Sequence, residues 1–207
     1  MLFDLDGTLL DTSPGIIHSY KKTAEKFGYD ISHITSYMNI IGGALPDNFV
    51  KYFKAKQEDI HGMVTYYREV YAKEGIKLAI HYDGVKEALE ELKANGIKTA
   101  VATLKREDFA KEMMDDFGFG NLFDYIAGMD VDDTKTKADI INECLNVFKA
   151  EKKQAVMIGD TQGDLNAAKE CGVNFIGVSY GFGFDEGNDK ECCKNLSDIV
   201  ELVRLIE

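Results

Sequence analysis

Two aspartates one residue apart, Asp4 and Asp6, follow an apolar run in the sequence MLFDLDGTL. Carboxylates this close repel each other and are costly to bury, so the pair indicates a role that uses their charge. A second acidic pair, Asp160 and Asp164, occurs in AVMIGDTQGD, again directly after an apolar run. Several converging carboxylates suit a hard cation, and Mg²⁺ is the usual choice where phosphate is involved.

Hydroxyl and lysine side chains follow two further apolar runs. Thr103 ends the run TAVAT, and Leu104 and Lys105 come directly after it. The segment DTKTKADII places Lys135 and Lys137 just before a predicted helix. A hydroxyl group, an ammonium group and the amides of a helix N-terminus can together hold a phosphate. Position relative to the helix favours Lys137 for this task, with Lys135 as its rival.

The elements that must position these side chains alternate along most of the chain. Apolar, β-branched runs predict five strands, and four of the runs are nearly continuously apolar rather than alternating, which is typical of parallel strands covered on both faces. This alternation predicts an α/β fold with a doubly wound, Rossmann-like parallel sheet, in which ligands bind beyond the carboxyl ends of the strands. The predicted strands are Met1–Leu5, Thr99–Thr103, Tyr125–Gly128, Ala155–Gly159 and Asn174–Val178, and the helices between the later ones are Asp83–Asn95, Glu107–Phe117, Lys137–Phe148 and Leu165–Cys171.

The long interval between the first two predicted strands is helical throughout. Its first helix has Ser13 as a candidate N-cap, Pro14 at the first helical position and Gly28 as the stop signal. We therefore expect an α/β core formed by residues 1–11 and 82–207 and an inserted all-helical domain formed by residues 12–81. Only three residues precede Asp4, which is short for a buried strand and consistent with residues missing from the start.

In this order, DLDGTL, AVAT, KADII and GDTQGD resemble the four motifs of the haloacid dehalogenase superfamily. The inserted helical segment resembles the caps of its phosphatases, and the SYGFG segment after the last strand is similar to phosphoglycolate phosphatase-like members. The resemblance implies Mg²⁺-dependent hydrolysis of a small phosphomonoester through an aspartyl-phosphate. KADII lacks the proline that often follows the motif lysine, which keeps Lys135 in consideration.

The resemblance also implies roles for individual residues. Asp4 is expected to be the nucleophile and Asp6 the general acid and base, and the cap loop at Gly42–Gly43 is expected to shape the leaving-group pocket, with Leu45 and Asn48 tuning substrate choice. The full expected set is Asp4, Asp6, Thr103 and Lys137 for catalysis, Thr8, Gly43, Leu104 and Lys105 for substrate binding, and Asp4, Asp6, Asp160 and Asp164 for the metal.

Other functions built on the same residue types remain as alternatives. A nucleotidase or a pyrophosphatase of the same family would use the same core with a different cap specificity. A phosphomutase of the β-phosphoglucomutase type carries a histidine at the position that Ile16 occupies here, and His18 lies two residues further on. A phospho-accepting signalling domain shares the acids, the threonine and the lysine, but it is shorter and has no cap.

Composition limits the partners and the compartment. The chain has 207 residues and a formal net charge of −12, which argues against nucleic acid or an anionic membrane as a partner. Cysteines 144, 171, 192 and 193 have no metal-type spacing and are expected to be reduced thiols of a cytoplasmic protein. We expect a small phosphorylated metabolite as the partner and a monomer or a homodimer as the assembly.

Overall fold

The computed structural model of this chain describes residues 1–41 and 44–184. Residue contacts group the chain into two units, one formed by Thr12–Ile80 and the other by Met1–Asp11 together with the chain from His81 onward. Gly43, expected to contact substrate, lies outside the described residues, as do Cys192 and Cys193.

Five parallel strands of the discontinuous unit form one sheet, in the order β5-β4-β1-β6-β7. The central strand β1 pairs with β4 on one side and with β6 on the other, so the order along the chain reverses beside it. The predicted doubly wound parallel fold is thereby confirmed, with a topological switch point between β1 and β6. In chain order the strands are β1 (Leu2–Phe3), β2 (Leu10–Asp11), β3 (Ile80–His81), β4 (Ala100–Arg106), β5 (Tyr125–Met129), β6 (Val156–Gly159) and β7 (Asn174–Gly177).

Helices cover this sheet because its strands are apolar on both faces. Leu2, Ala100 and Met157 pack in one cluster with the apolar residues of α6 and α7, while the alternate positions Phe3 and Val101 are also buried. The helices in chain order are α1 (Ser13–Phe27), α2 (Leu45–Phe53), α3 (Gln57–Lys73), α4 (Val85–Ala94), α5 (Glu107–Asp116), α6 (Lys137–Phe148) and α7 (Gln162–Cys171).

Two element boundaries differ from the sequence prediction in ways that concern the site. Strand β4 continues past Thr103 to Arg106, and its register against β5 shifts between Ala102 and Arg106. Helix α7 begins at Gln162 rather than at Leu165. The cause is a capping box, in which the hydroxyl of Thr161 accepts from the Asp164 amide and the Asp164 carboxylate accepts from the Thr161 amide.

The helical unit has an apolar core of its own. The ring of Tyr20 in α1 packs against those of Phe49 and Phe53 in α2 and of Tyr67 in α3. Asn48 is buried beside this cluster, where its amide donates to the Tyr20 hydroxyl at 2.9 Å and to the Ile40 carbonyl at 2.8 Å. These bonds make Asn48 a structural residue of the unit, so the expectation that its side chain tunes substrate choice does not fit its position.

Two further features bear on the sequence expectations. Across the part of the chain that the structure describes, no helix combines the length and the apolar character needed to cross a bilayer. Cys144 and Cys171 are free thiols buried in the α/β unit. Burial raises the pKa of the Cys144 thiol to about 12, which keeps it protonated and unreactive at neutral pH.

Candidate active site

Three buried aspartates meet at the carboxyl ends of β1 and β6. Asp4 follows the last residue of β1 and Asp160 follows the last residue of β6, and these strands are neighbours in the sheet. Asp164 lies in the first turn of α7, which begins directly after β6. Each of the three offers a carboxylate oxygen within 4.8 Å of the others. Of the four acids expected to bind the metal, Asp4, Asp160 and Asp164 are therefore brought together, whereas Asp6 is not part of this cluster.

Lys137 supplies positive charge to this cluster. It is the first residue of α6, and its Nζ lies 2.6 Å from Asp4 Oδ1 and 2.8 Å from Asp164 Oδ1. Its rival Lys135 instead lies 2.7 Å from Glu143 Oε2. The geometry thus brings Lys137, and not Lys135, to the aspartates.

Burial and the neighbouring like charges disfavour the ionised forms of Asp4 and Asp160. Burial raises the pKa of Asp4 to about 7, with Lys137 opposing the rise and the neighbouring aspartates adding to it. Burial also raises the pKa of Asp160 to about 6, against the stabilising hydrogen bond from the Phe182 amide. For Lys137, burial lowers the pKa, but Asp4 and Asp164 outweigh burial and the pKa lies above its ordinary value. One ammonium beside three carboxylates leaves an excess of negative charge that a bound cation would relieve.

The carboxylate of Asp160 is oriented from two sides. Its Oδ1 accepts from Thr8 Oγ1 at 3.2 Å, and its Oδ2 accepts from the backbone amide of Phe182 at 2.7 Å. The hydroxyl of Tyr180 donates to the Thr8 carbonyl at 2.9 Å, so the segment after β7 also ties down the turn after β1. Thr8, expected to bind substrate, therefore contacts Asp160.

The sequence analysis did not predict these contacts of the segment 180–184. The available signal was its place after β7, because that strand pairs with β6 and the loop must emerge beside Asp160. Glycines permit the close approach. Gly7 has φ +85°, and a Cβ there would lie 2.2 Å from Asp160 Oδ2. A Cβ at Gly181 would lie 2.3 Å from the Gly7 carbonyl oxygen.

Asp6 pairs with Lys105, whereas Asp4 pairs with Lys137. Its Oδ1 lies 2.9 Å from the Nζ of Lys105, whose side chain is only 8% exposed. Thr103 is buried, and its Oγ1 accepts from the Lys105 amide at 3.1 Å. The side chain of Leu104 between them is 51% exposed. Of the segment expected to contact substrate, Lys105 is thus directed to Asp6, and only Leu104 has an exposed side chain.

Comparison with known proteins finds relatives that match most of this chain. The family model for haloacid dehalogenase-like hydrolases matches residues 1–178. A 5′-nucleotidase from Pseudomonas aeruginosa is 34% identical, covering 90% of this chain and 85% of its own. A pyrophosphatase from Halalkalibacterium halodurans is 32% identical, covering 87% and 83%. A phosphoglycolate phosphatase from Aquifex aeolicus is 28% identical, covering 88% and 85%.

A solved structure extends the similarity to the fold. The structure of a haloacid dehalogenase-like family hydrolase from Streptococcus pneumoniae superposes with a TM-score of 0.88. The match covers 98% of this chain and 96% of that one, at 26% sequence identity. The match therefore extends over the helical unit as well as the α/β unit.

Proposed function

This chain belongs to the haloacid dehalogenase-like hydrolase family, and on that premise we propose that it is a Mg²⁺-dependent phosphatase of small phosphomonoesters that uses Asp4 as its nucleophile. The family and its phosphatase relatives make it a hydrolase of phosphoesters. One observation carries the rest of the proposal. Asp4 lies at the switch point of the sheet, 2.6 Å from the buried ammonium of Lys137 and beside the carboxylates of Asp160 and Asp164.

The residues present fit a magnesium ion. Buried carboxylates in excess of the neighbouring ammonium supply the all-oxygen donor set that Mg²⁺ prefers. Asp4 and Asp160 would hold the ion, with Asp6 contributing its carbonyl as the family resemblance implies. Asp164 already accepts from Lys137 and Thr161, which supports a role in orienting Lys137. The bound ion would offset the repulsion between Asp4 and a phosphate dianion.

The first step is a displacement at phosphorus. An oxygen of Asp4 forms a bond to the phosphorus atom as the bond to the ester oxygen breaks, which leaves Asp4 phosphorylated. Lys137 holds the Asp4 carboxylate and offsets negative charge as the phosphate approaches. The hydroxyl of Thr103, at the end of the neighbouring strand β4, is proposed to donate to a phosphate oxygen.

Asp6 is proposed to move the protons of both steps. It donates a proton to the departing ester oxygen, which leaves as an alcohol. As a carboxylate it then accepts a proton from the water that attacks the phosphorylated Asp4. That attack breaks the bond between phosphorus and the Asp4 oxygen and restores the free enzyme. Two acids one residue apart thus have separate tasks, as nucleophile and as proton carrier.

The substrate is proposed to be a small phosphorylated metabolite of the phosphoglycolate type. The relatives named above act, by their names, on phosphoglycolate, nucleotides and pyrophosphate, so a nucleotide and pyrophosphate are the alternatives. The helical unit Thr12–Ile80 is proposed to serve as the cap that selects the leaving group, as caps and lids do in related architectures. Leu45, partly exposed at the start of α2, remains a candidate specificity residue.

The function is tested by phosphate release from a panel containing 2-phosphoglycolate, other small monoesters, 5′-nucleotides and pyrophosphate, each with Mg²⁺ and with a chelator. We expect multiple turnovers of monoesters that chelation abolishes. Pyrophosphate or a nucleotide as the best substrate would shift the proposal to that alternative. A single phosphorylation of the protein without turnover would instead indicate a phospho-accepting domain.

Mg²⁺ is expected to stabilise the folded protein, because it binds a site that the unfolded chain lacks. At millimolar Mg²⁺ we expect the Tm to rise by about 2–5 °C relative to the chelated protein. Asp160→Asn removes a proposed ligand and should abolish most of that rise. Asp124→Asn alters an aspartate at the amino end of β5, whereas the proposed ligands lie at the carboxyl ends of β1 and β6. This variant should keep the Mg²⁺-induced rise in Tm. Equal Mg²⁺-induced shifts in wild type and Asp160→Asn would contradict the metal assignment.

A further inference from the structure

Lys105 has a nearly inaccessible side chain, and its ammonium faces a residue of the proposed proton transfer. Its Nζ lies 2.9 Å from Asp6 Oδ1, and its side chain is only 8% exposed. We propose that Lys105 is a positioning residue, which holds the Asp6 carboxylate in the orientation required to pass protons to and from the reacting oxygen atoms. The inference rests on the proposed function, because it concerns how Asp6 performs its part of that reaction.

The path of β4 explains why a lysine reaches this place. The register of β4 against β5 shifts between Ala102 and Arg106, as it does at a β-bulge. Within the shifted stretch, Thr103 Oγ1 accepts from the Lys105 amide, a local bond that fixes the turn of the backbone. Leu104 is left 51% exposed while Lys105 is directed inward. Bulges beside active sites commonly re-aim a side chain in this way.

The ion pair between Lys105 and Asp6 constrains the orientation of the Asp6 carboxylate. An ammonium removed from water needs a carboxylate close by, because a buried charge without a partner is strongly destabilising. Asp6 provides that carboxylate while remaining 24% exposed itself. Asp6 Oδ1 is buried and accepts no hydrogen bond from the described residues, so the ion pair with Lys105 is what restricts the rotation of this carboxylate, and Oδ2 would face the substrate. Proton transfer is sensitive to such alignment, because the donor and the acceptor must be within hydrogen-bond reach.

The alternative use of Lys105 is a direct contact with substrate, and the two uses predict different kinetics. In the first displacement, a residue that acts through Asp6 matters most when the leaving group needs a proton, as an alkoxide does. It matters little for 4-nitrophenolate, which departs without one. A residue that binds the phosphate would affect both substrates alike, because they share the phosphoryl group.

The test is a double-mutant cycle of Lys105→Met, Asp6→Asn and the combined variant, measured on an alkyl phosphate and on 4-nitrophenyl phosphate. We expect Lys105→Met to lower kcat/KM, which reports the first displacement, about tenfold or more on the alkyl phosphate, with a far smaller loss on the aryl ester. In the Asp6→Asn background the same change should cause no further loss, because its only route of action is gone. Lys105→Arg should recover most of the activity.

Lys135→Met is the matched control, since the ammonium of that lysine pairs with Glu143 rather than with an aspartate of the site. Equal losses on both substrates, or losses that add in the combined variant, would overturn the positioning role. If Lys105→Met fails to fold, as judged by its melting curve, Lys105→Gln takes its place in the cycle. Full activity of Asp4→Asn would instead overturn the proposed function, so the two failures are distinguishable.

Discussion

Replacing Asp4 with Asn is expected to lower kcat about a thousandfold or more on every substrate of the panel, with Mg²⁺ present. An amide oxygen is a poor nucleophile and a weaker metal ligand, so no phosphorylated residue should form at this position. The measurement is steady-state phosphate release, together with a search for acid-stable incorporation of labelled phosphate at residue 4 in the wild type and in the variant.

The same variant should remain folded, which separates a chemical effect from a structural one. Asn has nearly the shape of Asp and can still accept from Lys137, and it removes one of three buried like charges. We therefore expect the Tm of the chelated variant to equal or exceed that of wild type, with a smaller rise on adding Mg²⁺. Retention of more than a few per cent of wild-type activity would refute the covalent mechanism.

Lys137→Met is expected to combine a large loss of activity with a loss of stability. It removes the ammonium that lies 2.6 Å and 2.8 Å from two buried carboxylates, and breaking a buried pair in this way typically costs about 3–5 kcal/mol. Without that charge, phosphate meets unrelieved repulsion, and kcat should fall about a hundredfold or more. Mg²⁺ should restore part of the stability. Kinetics and denaturant unfolding, each with and without Mg²⁺, measure both effects.

Lys135→Met is the matched control for this prediction as well. Lys135 and Glu143 are each 29% exposed, and ion pairs in contact with water contribute about 0–1 kcal/mol. We expect near-wild-type turnover and a small change in unfolding free energy. If this variant lost activity as severely as Lys137→Met, the assignment of the phosphate-facing lysine would be wrong.

The positions of the aspartates were predictable because they follow from strand order. Apolar runs marked β1 and β6 in the sequence, and a doubly wound sheet places the ends of its parallel strands at one edge. Asp4 and Asp160 directly follow those runs, so their meeting needed no knowledge of side-chain geometry. The start of α7 was placed three residues late, because the capping box of Thr161 and Asp164 lies before the first apolar residue of that helix.

The contacts of the lysines were only partly predictable. Position at the start of α6 favoured Lys137 correctly, but the pairing of Lys135 with Glu143, which separates the two lysines, was not visible in the sequence. Lys105 reaches Asp6 because of a register shift in β4, and no residue type in the sequence indicates that shift. The amide of Phe182 is a backbone group, so its bond to Asp160 leaves no trace in the side-chain pattern.

Because β1 lies at the centre of the sheet, its pairing must wait until later parts of the chain have been synthesised. Leu2 and Phe3 are made before their partners in β4 and β6, which lie about one hundred and more residues later in the chain. The helical segment made between them has its own aromatic core and forms a compact unit. During synthesis it can fold while β1 still has no partner. Pairings this distant in sequence close slowly. Asp4 is therefore the earliest residue of the site to leave the ribosome and among the last to be positioned.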